Sequence, residues 1–377
     1  MDFEQQLCRQ MIIAFYELPG IGWHAVDKAV RHELWKKDSW SVEDLLAIGL
    51  KRDQAETAAK LFREEPWKLT RKESPAVRQA GAVTLTPYDA GYPSILRENA
   101  QPPWVLYAKG RLELLERPAV AIVGTRVPTA YGRHTAAQTA QELSEAGITV
   151  VSGLAKGVDS FAHEASLMGP GGTIAVLPTP IDTCYPPEND SLFRRIAEHG
   201  LLISETPIGT KLHPGQFHQR NRIIAALSRA TIVVEGARKS GSLITAKHAH
   251  DMDRELFAIP GPISSPKSEG PNELIREGKA RLLSAAEQIF DELPWLRTQA
   301  DRYVPSCGTD GKGEGKQGEP LGVEEQKIVA LLQDQALSIN ELHELSAIPF
   351  GHLNALLLNL CIKRKIELQP GSIYIAL

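Results

Sequence analysis

Six short apolar runs, at 119–123, 148–151, 173–177, 201–203, 231–234 and 256–259, punctuate the middle of this 377-residue chain, with stretches of helical composition between them. Runs of this length with so few polar interruptions need both faces covered, and strands that alternate with helices pair in parallel through crossover connections. The expected fold class is therefore α/β, with a Rossmann-like, mostly parallel sheet as its core. In such sheets ligands bind beyond the carboxyl ends of the strands. Here those ends carry Gly124-Thr-Arg126, Ser152-Gly153, Ser204-Glu205, Glu235 and Pro260-Gly261, so glycine and polar residues collect along one edge.

The flanks read differently. Residues 1–75 are rich in helix formers, and Leu18-Pro-Gly-Ile-Gly22 followed by an amphipathic stretch predicts a hairpin between helices, with Pro and Gly setting the turn. That phrase is shared by helix-hairpin-helix modules, whose glycine amides approach DNA phosphates, but a plain turn in a small helical (SAM-like) domain is the favoured account of a single such phrase. The sheet domain spans 76–295. A linker is expected over 296–320, where the glycine-rich, charge-mixed tract 306–318 cannot bury enough surface to fold. Over 321–377 three helices and a short hairpin joined by Pro370-Gly371 predict a winged helix, its second helix opened by a Ser338/Glu341 capping box.

Charge narrows the function. The chain is net −4 with a pI near 6.3, yet between Thr206 and His250 it carries Lys211, Arg220, Arg222, Arg229, Arg238, Lys239 and Lys247 against the single acidic residue Glu235. A local basic patch of this kind draws polyanions although the whole protein repels them. Four cysteines, at 8, 184, 307 and 361, are too scattered for a disulfide framework or a metal site, which fits a reducing cytoplasm. No basic segment followed by an apolar one opens the chain, and no run approaches the ~20 apolar residues of a membrane span. Neither export nor membrane insertion is expected.

Three phrases carry the candidate site. Val123-Gly-Thr-Arg126 ends the first core strand. Gly124 allows an anion close to the backbone, Thr125 offers a hydroxyl, Arg126 grips phosphate, and a helix beginning near Tyr131 adds partial positive charge. In Phe217-His-Gln-Arg-Asn-Arg222 an aromatic ring lies close to Arg220, Asn221 and Arg222, a mixture that suits single strands because bases stack on the ring while the arginines take the backbone. The competing reading puts Phe217 in the core and pairs Arg220 with Glu235 or Glu205. In Lys239-Ser-Gly-Ser-Leu-Ile-Thr245 the hydroxyls of Ser240 and Ser242, the Gly241 backbone and Lys239 form an anion nest at a helix start. Ser152, Gly153 and Lys156 complete the rim, and Asp159 and His163 shape the loop around Lys156.

Other chemistries find no footing. A dinucleotide site needs Gly-x-Gly-x-x-Gly at the first turn and an acidic residue after the second strand, which here closes with Val150-Val-Ser-Gly153. A Walker A loop is also missing. No cofactor and no metal are expected.

Taken in order, Ala121-Ile-Val-Gly-Thr-Arg126, Val151-Ser-Gly-Leu-Ala-Lys-Gly-Val-Asp159 with Ala162-His163, Thr173-Ile-Ala-Val-Leu177, Arg220-Asn-Arg-Ile-Ile-Ala225 and Ser240-Gly-Ser-Leu-Ile-Thr-Ala246 resemble the DNA-processing protein A family (DprA, also called Smf). Upstream, Asp89-Ala-Gly-Tyr-Pro93 and Pro102-Pro-Trp-Val-Leu-Tyr-Ala-Lys-Gly110 match the family's lead-in, so the likeness covers 88–293. It implies a non-enzymatic cytoplasmic protein of natural transformation that binds incoming single-stranded DNA, forms a homodimer through its Rossmann-like domain and helps load the RecA recombinase. Carried over by residue, Gly124, Arg126 and Phe217 would form the DNA pocket with Arg220, Arg222 and Lys239. The family commonly places proline after the phenylalanine, where this chain has His218, and basic residues before it, where Lys211 and His213 are available in an open register. In the winged helix, 350–361 would be the recognition helix, with Lys363-Arg-Lys365 near phosphate or a docked protein. The runner-up is an enzyme of the nucleoside-monophosphate phosphoribohydrolase type, with Glu235 or Glu205 as its acid and Gly171-Gly-Thr173 as a faint echo of its glycine turn.

Overall fold

The computed structural model describes residues 1–18, 20–37, 39–64, 74–300, 322–346, 348–362, 365–369 and 373–376. The glycine-rich tract 306–318, Lys363 and Arg364, and the Pro370-Gly371 turn fall outside them. Two compact units emerge, Met1–Ser306 and Cys307–Leu377.

The first unit is built on nine strands: β1 (Val83–Leu85), β2 (Leu106–Gly110), β3 (Ala119–Val123), β4 (Thr149–Ser152), β5 (Thr173–Leu177), β6 (Leu201–Ser204), β7 (Ala230–Val233), β8 (Glu255–Ala258) and β9 (Arg281–Leu282). Their order is β1-β2-β6-β5-β4-β3-β7-β8-β9. From β6 to β9 every pairing is parallel, and β1 and β2 extend the β6 edge in antiparallel fashion. All six expected strands form, three of them shifted by one residue and one longer by one residue. The short strands β1, β2 and β9 had no separate signal.

Complete burial of β3 explains why its sequence is an unbroken apolar run. Val120 and Ile122 face one core and Ala119, Ala121 and Val123 the other, as the period of two requires. On the first face the helices Ala130–Glu145 and Val158–Ser166 contribute Ala136, Ala140, Leu143, Val158 and Ala162. On the second, Gly215–Leu227 and Ser242–Asp251 contribute Ile223, Ile224, Ala246 and Ala249. Sealing each large aliphatic side chain in these layers contributes about 1.5–3 kcal/mol.

The amino-terminal helices are not set apart from this body. Met11, Ile12 and Phe15 of helix Phe3–Tyr16 share a core with Tyr107 of β2, Leu177 of β5 and Leu202 of β6. At the other end, helix Pro294–Ala300 buries Leu296 and Ala300 in the sheet core, so folded structure runs past the 295/296 boundary drawn from composition.

In the second unit the helices Val323–Asp334, Ile339–Ser346 and Phe350–Ile362 enclose Ile328, Leu342, Leu353 and Leu357. Beside them lies a three-stranded antiparallel sheet of β10 (Leu337–Ser338), β11 (Ile366–Gln369) and β12 (Ile373–Ala376), ordered β10-β12-β11. The expected capping box is present: the Glu341 amide donates to Ser338 Oγ at 3.4 Å, and the Ser338 amide donates to Glu341 Oε2 at 2.7 Å.

Candidate functional site

The chain leaves β3 for β4 on one side and returns to β7 on the other, which makes the carboxyl ends of β3 and β7 the topological switch point. The crevice there is already filled from within. Thr129 caps helix Ala130–Glu145, and the Glu235 carboxylate accepts from the Thr129 amide at 2.9 Å and from its hydroxyl at 2.5 Å. Glu235 is buried, and Gly132 is required because a Cβ there would overlap its carboxylate. The anion at this helix start is therefore the protein's own, and the positive end expected to help Arg126 is occupied.

The open cavity lies one step along the edge, beyond β4 and β5. It measures about 310 Å³ and is lined by Arg126, Gly153, Lys156, Tyr185, Glu188, Phe217 and Arg220, with Ala155, Pro178, Pro186 and Pro187. The Arg126 guanidinium sits 5.8 Å from the centroid of the Phe217 ring, and Tyr185 meets that ring edge-on at 5.4 Å. Arg126 is exposed and Phe217 half-buried, so a cation and two aromatic faces border one hollow. Close backbone packing makes the arrangement possible. Gly157, at φ +82°, lets its loop lie against Thr125 and Arg126, and a Cβ at Gly124 would strike Val158.

Arg220 forms the floor. It is 7% exposed, and its guanidinium donates to the carbonyls of Gly153 and Val176 and, at 3.0 Å, to Asn221 Oδ1. Burial lowers its pKa from the ordinary 12.5 to about 10, with Asp159 opposing the shift and Arg126 adding to it. It remains a cation at neutral pH, but it is turned toward the ends of β4 and β5. Arg222 is also drawn inward. It donates to both oxygens of Glu205 at 2.6 Å and to the Gln101 carbonyl at 2.9 Å. Both residues were expected to face outward as phosphate ligands, and the structure turns them inward: an arginine beside buried carbonyls or a half-buried carboxylate satisfies those acceptors first. The pairing expected of Arg220 with Glu205 or Glu235 belongs to Arg222 instead.

The remaining expected residues divide in the same way. Ser152 Oγ donates to the Ile122 carbonyl at 2.6 Å, inside the sheet. Gly153 donates its amide to Asp159 at 3.0 Å, and a Cβ there would collide with Arg220. Lys156 is exposed and bonded to Glu188 at 2.6 Å, a solvent-screened surface ion pair that leaves the ammonium available to a ligand. Ser240 and Ser242 join hydroxyl to hydroxyl at 2.8 Å, and the Gly241 carbonyl accepts from Asn221 Nδ2 at 3.4 Å, so Asn221 bridges the two basic phrases. Lys239 stays exposed beside them.

Asp159 and His163 are structural. Thr173 Oγ1 donates to the Val150 carbonyl at 2.8 Å, so the 2.7 Å contact from His163 Nδ1 has the imidazole as donor, while Nε2 accepts from the Leu154 amide at 3.2 Å. That fixes a neutral tautomer, and burial lowers the His163 pKa from 6.5 to about 3. Burial raises the Asp159 pKa against the pull of Arg220.

Sequence reasoning missed Tyr185 and Glu188. The phrase Cys184-Tyr-Pro-Pro-Glu188 held the available signal, an aromatic and two prolines in a polar loop. Lys211 and His213 belong elsewhere: they line a second, larger groove together with the Leu18–Gly22 region.

The model of the family described as DNA recombination-mediator protein A matches residues 83–294. Protein Smf of Synechocystis is 38% identical over 321 residues, covering 79% of this chain and 81% of that protein. DNA processing protein DprA of Bacillus subtilis is 41% identical over 269 residues, 70% of this chain and 90% of that one. Among solved structures, DNA processing protein A of Streptococcus pneumoniae superposes with a TM-score of 0.66 at 32% identity, covering 75% of this chain and 97% of that one. The Helicobacter pylori protein, described with its single-stranded DNA binding mode, gives a TM-score of 0.52 at 34% identity over 57% of this chain and 96% of its own. With the family match spanning the sheet and every loop at its carboxyl edge, this chain belongs to the DNA recombination-mediator protein A (DprA/Smf) family.

Proposed function

We propose that this protein binds single-stranded DNA across the carboxyl edge of its sheet, without acting on it chemically, and hands the strand to the RecA recombinase during natural transformation. A base stacks in the 310 Å³ cavity against Phe217 and Tyr185, and phosphates lie on Arg126, Lys156 and Lys239. Gly124 and Thr125 set the approach of Arg126, while Ser152, Gly153, Arg220, Asn221, Arg222, Ser240, Gly241 and Ser242 hold the rim in shape. The observation that carries this reading is the exposed Arg126 guanidinium 5.8 Å over the ring of Phe217 beside that hollow, a cation paired with a stacking surface. The Helicobacter pylori relative's single-strand binding supports it. The carboxylates that a phosphoribohydrolase would need, Glu235 and Glu205, are bound to Thr129 and Arg222, which supports a non-catalytic role. In the same reading the protein is a cytoplasmic homodimer, the amino-terminal layer is a helix-hairpin-helix or SAM-like module, and the domain assigned to 321–377 is a winged helix.

The test is a mobility-shift comparison of single- and double-stranded oligonucleotides across a salt titration. Wild-type protein retains the single strand preferentially, and Arg126→Ala weakens it while flattening the log–log salt slope by about one. An unchanged slope and affinity in that variant would remove Arg126 from the interface.

A further inference from the structure

The sheet edge carries a second hollow that the reading above does not use. It measures about 950 Å³, three times the first, and lies between Leu18, Gly20, Ile21 and Gly22, with Tyr16 and Trp23, on one side and the 205–213 loop with helix Gly215–Leu227 on the other. Arg220 borders both hollows. The first turns of that helix divide them, because Phe217 points to the smaller one and His218 and Arg222, four residues apart on one face, to the larger.

The groove's chemistry favours an anion with apolar parts. Lys211 and the imidazoles of His24, His213, His218 and His248 line it, against the carboxylates Glu17 and Glu205. Glu205 is held by Arg222 and accepts from the Tyr16 hydroxyl, so its charge is met inside the wall. Backbone is open to the space as well: at Gly22 and Gly209 a Cβ would meet nothing within 4 Å. Trp23 adds an aromatic surface, anchored by its indole N–H on the Pro102 carbonyl at 2.7 Å.

We infer that this groove is a second subsite for the same DNA strand, continuous with the Phe217 pocket over Arg220, with the amino-terminal hairpin as its far wall. The inference rests on the single-strand reading and adds to it a longer footprint and a direct task for the helical layer. A flexible sugar-phosphate chain leaving the pocket crosses the start of helix Gly215–Leu227 and meets Lys211 and His218, both exposed.

Fluorescence anisotropy with a short oligothymidylate of about 5 nucleotides and a long one of about 15 separates the possibilities, both lengths lying within the range of single-strand site sizes. In the full chain, Lys211→Ala/His218→Ala lowers affinity for the long oligonucleotide about tenfold, reduces its salt slope by about one, and leaves the short one unchanged. Equal loss on both lengths, or no loss on the long one, overturns the second subsite while the pocket stands. Wild-type protein that binds neither length overturns the pocket and the groove together. Cross-linking of a long 5-bromouracil oligonucleotide to Trp23, absent with the short one, gives a readout independent of the substitutions.

Discussion

Arg126 and Arg222 look alike in sequence, each in a glycine- or asparagine-marked phrase at the rim of one sheet, yet the structure gives them opposite tasks. Arg222 is locked by both oxygens of a half-buried glutamate and by a main-chain carbonyl, and Arg220 beside it ties the ends of β4 and β5. The Arg126 guanidinium sits over the Phe217 ring at the edge of the hollow and remains open to solvent. Local charge density therefore marks where a polyanion is attracted, but burial decides which cations hold the rim and which face outward. An inner shell that clamps the loops is what gives the outer cations fixed positions.

The sharpest way to break this division is stability. Arg222→Met leaves the half-buried carboxylate of Glu205 without its arginine partner and is expected to cost about 1.5–3 kcal/mol, read as a drop in the urea midpoint. Arg126→Ala should stay within about 0.5 kcal/mol of wild type. Equal losses in the two variants would erase the distinction.

A smaller effect tests the clamp around the Ser152–Asp159 loop through pH. His163 is held neutral in the folded state down to about pH 3, whereas in the unfolded chain it protonates near 6.5. Stability is therefore full above that value and falls as pH drops below it, by about 1.4 kcal/mol per unit. Asp159, whose pKa is raised in the folded state, takes up its proton earlier than in the unfolded chain and offsets part of the loss in the acid range. Thermal midpoints from pH 7.5 to 5 should decline in wild type, with a shallower slope in His163→Gln. Parallel slopes would mean that His163 is not the group responsible.

Smallest in stability but specific to binding is Phe217→Ala, expected to cost about 1–3 kcal/mol of oligonucleotide affinity with an unchanged salt slope. Phe217→Tyr should restore most of it. A loss that appears in the salt slope would assign Phe217 to placing Arg126 and not to stacking.

Much of this was legible in advance, for local reasons. β3 and β5 were read to the residue because a strand buried on both faces admits little besides aliphatic side chains. The Ser338/Glu341 box was readable because its partners are three residues apart. The short strands β1 and β2 were not, since they pair antiparallel at the sheet's edge, outside the strand–helix alternation, and β2 joins the sheet through β6, a partner nearly a hundred positions away.

What the chain's order of residues determined alone was the α/β core, the basic window and the family, because strand burial, glycine turns and ordered motifs are written in consecutive residues. Only the tertiary structure decided that Glu235 fills the switch point, that Arg222 and not Arg220 pairs with Glu205, and that Tyr185 faces Phe217. Those partners are 106, 17 and 32 positions apart. Crossover connections bring them together, and at such separations charge and side-chain type cannot name the partner until the strand order has set the distance.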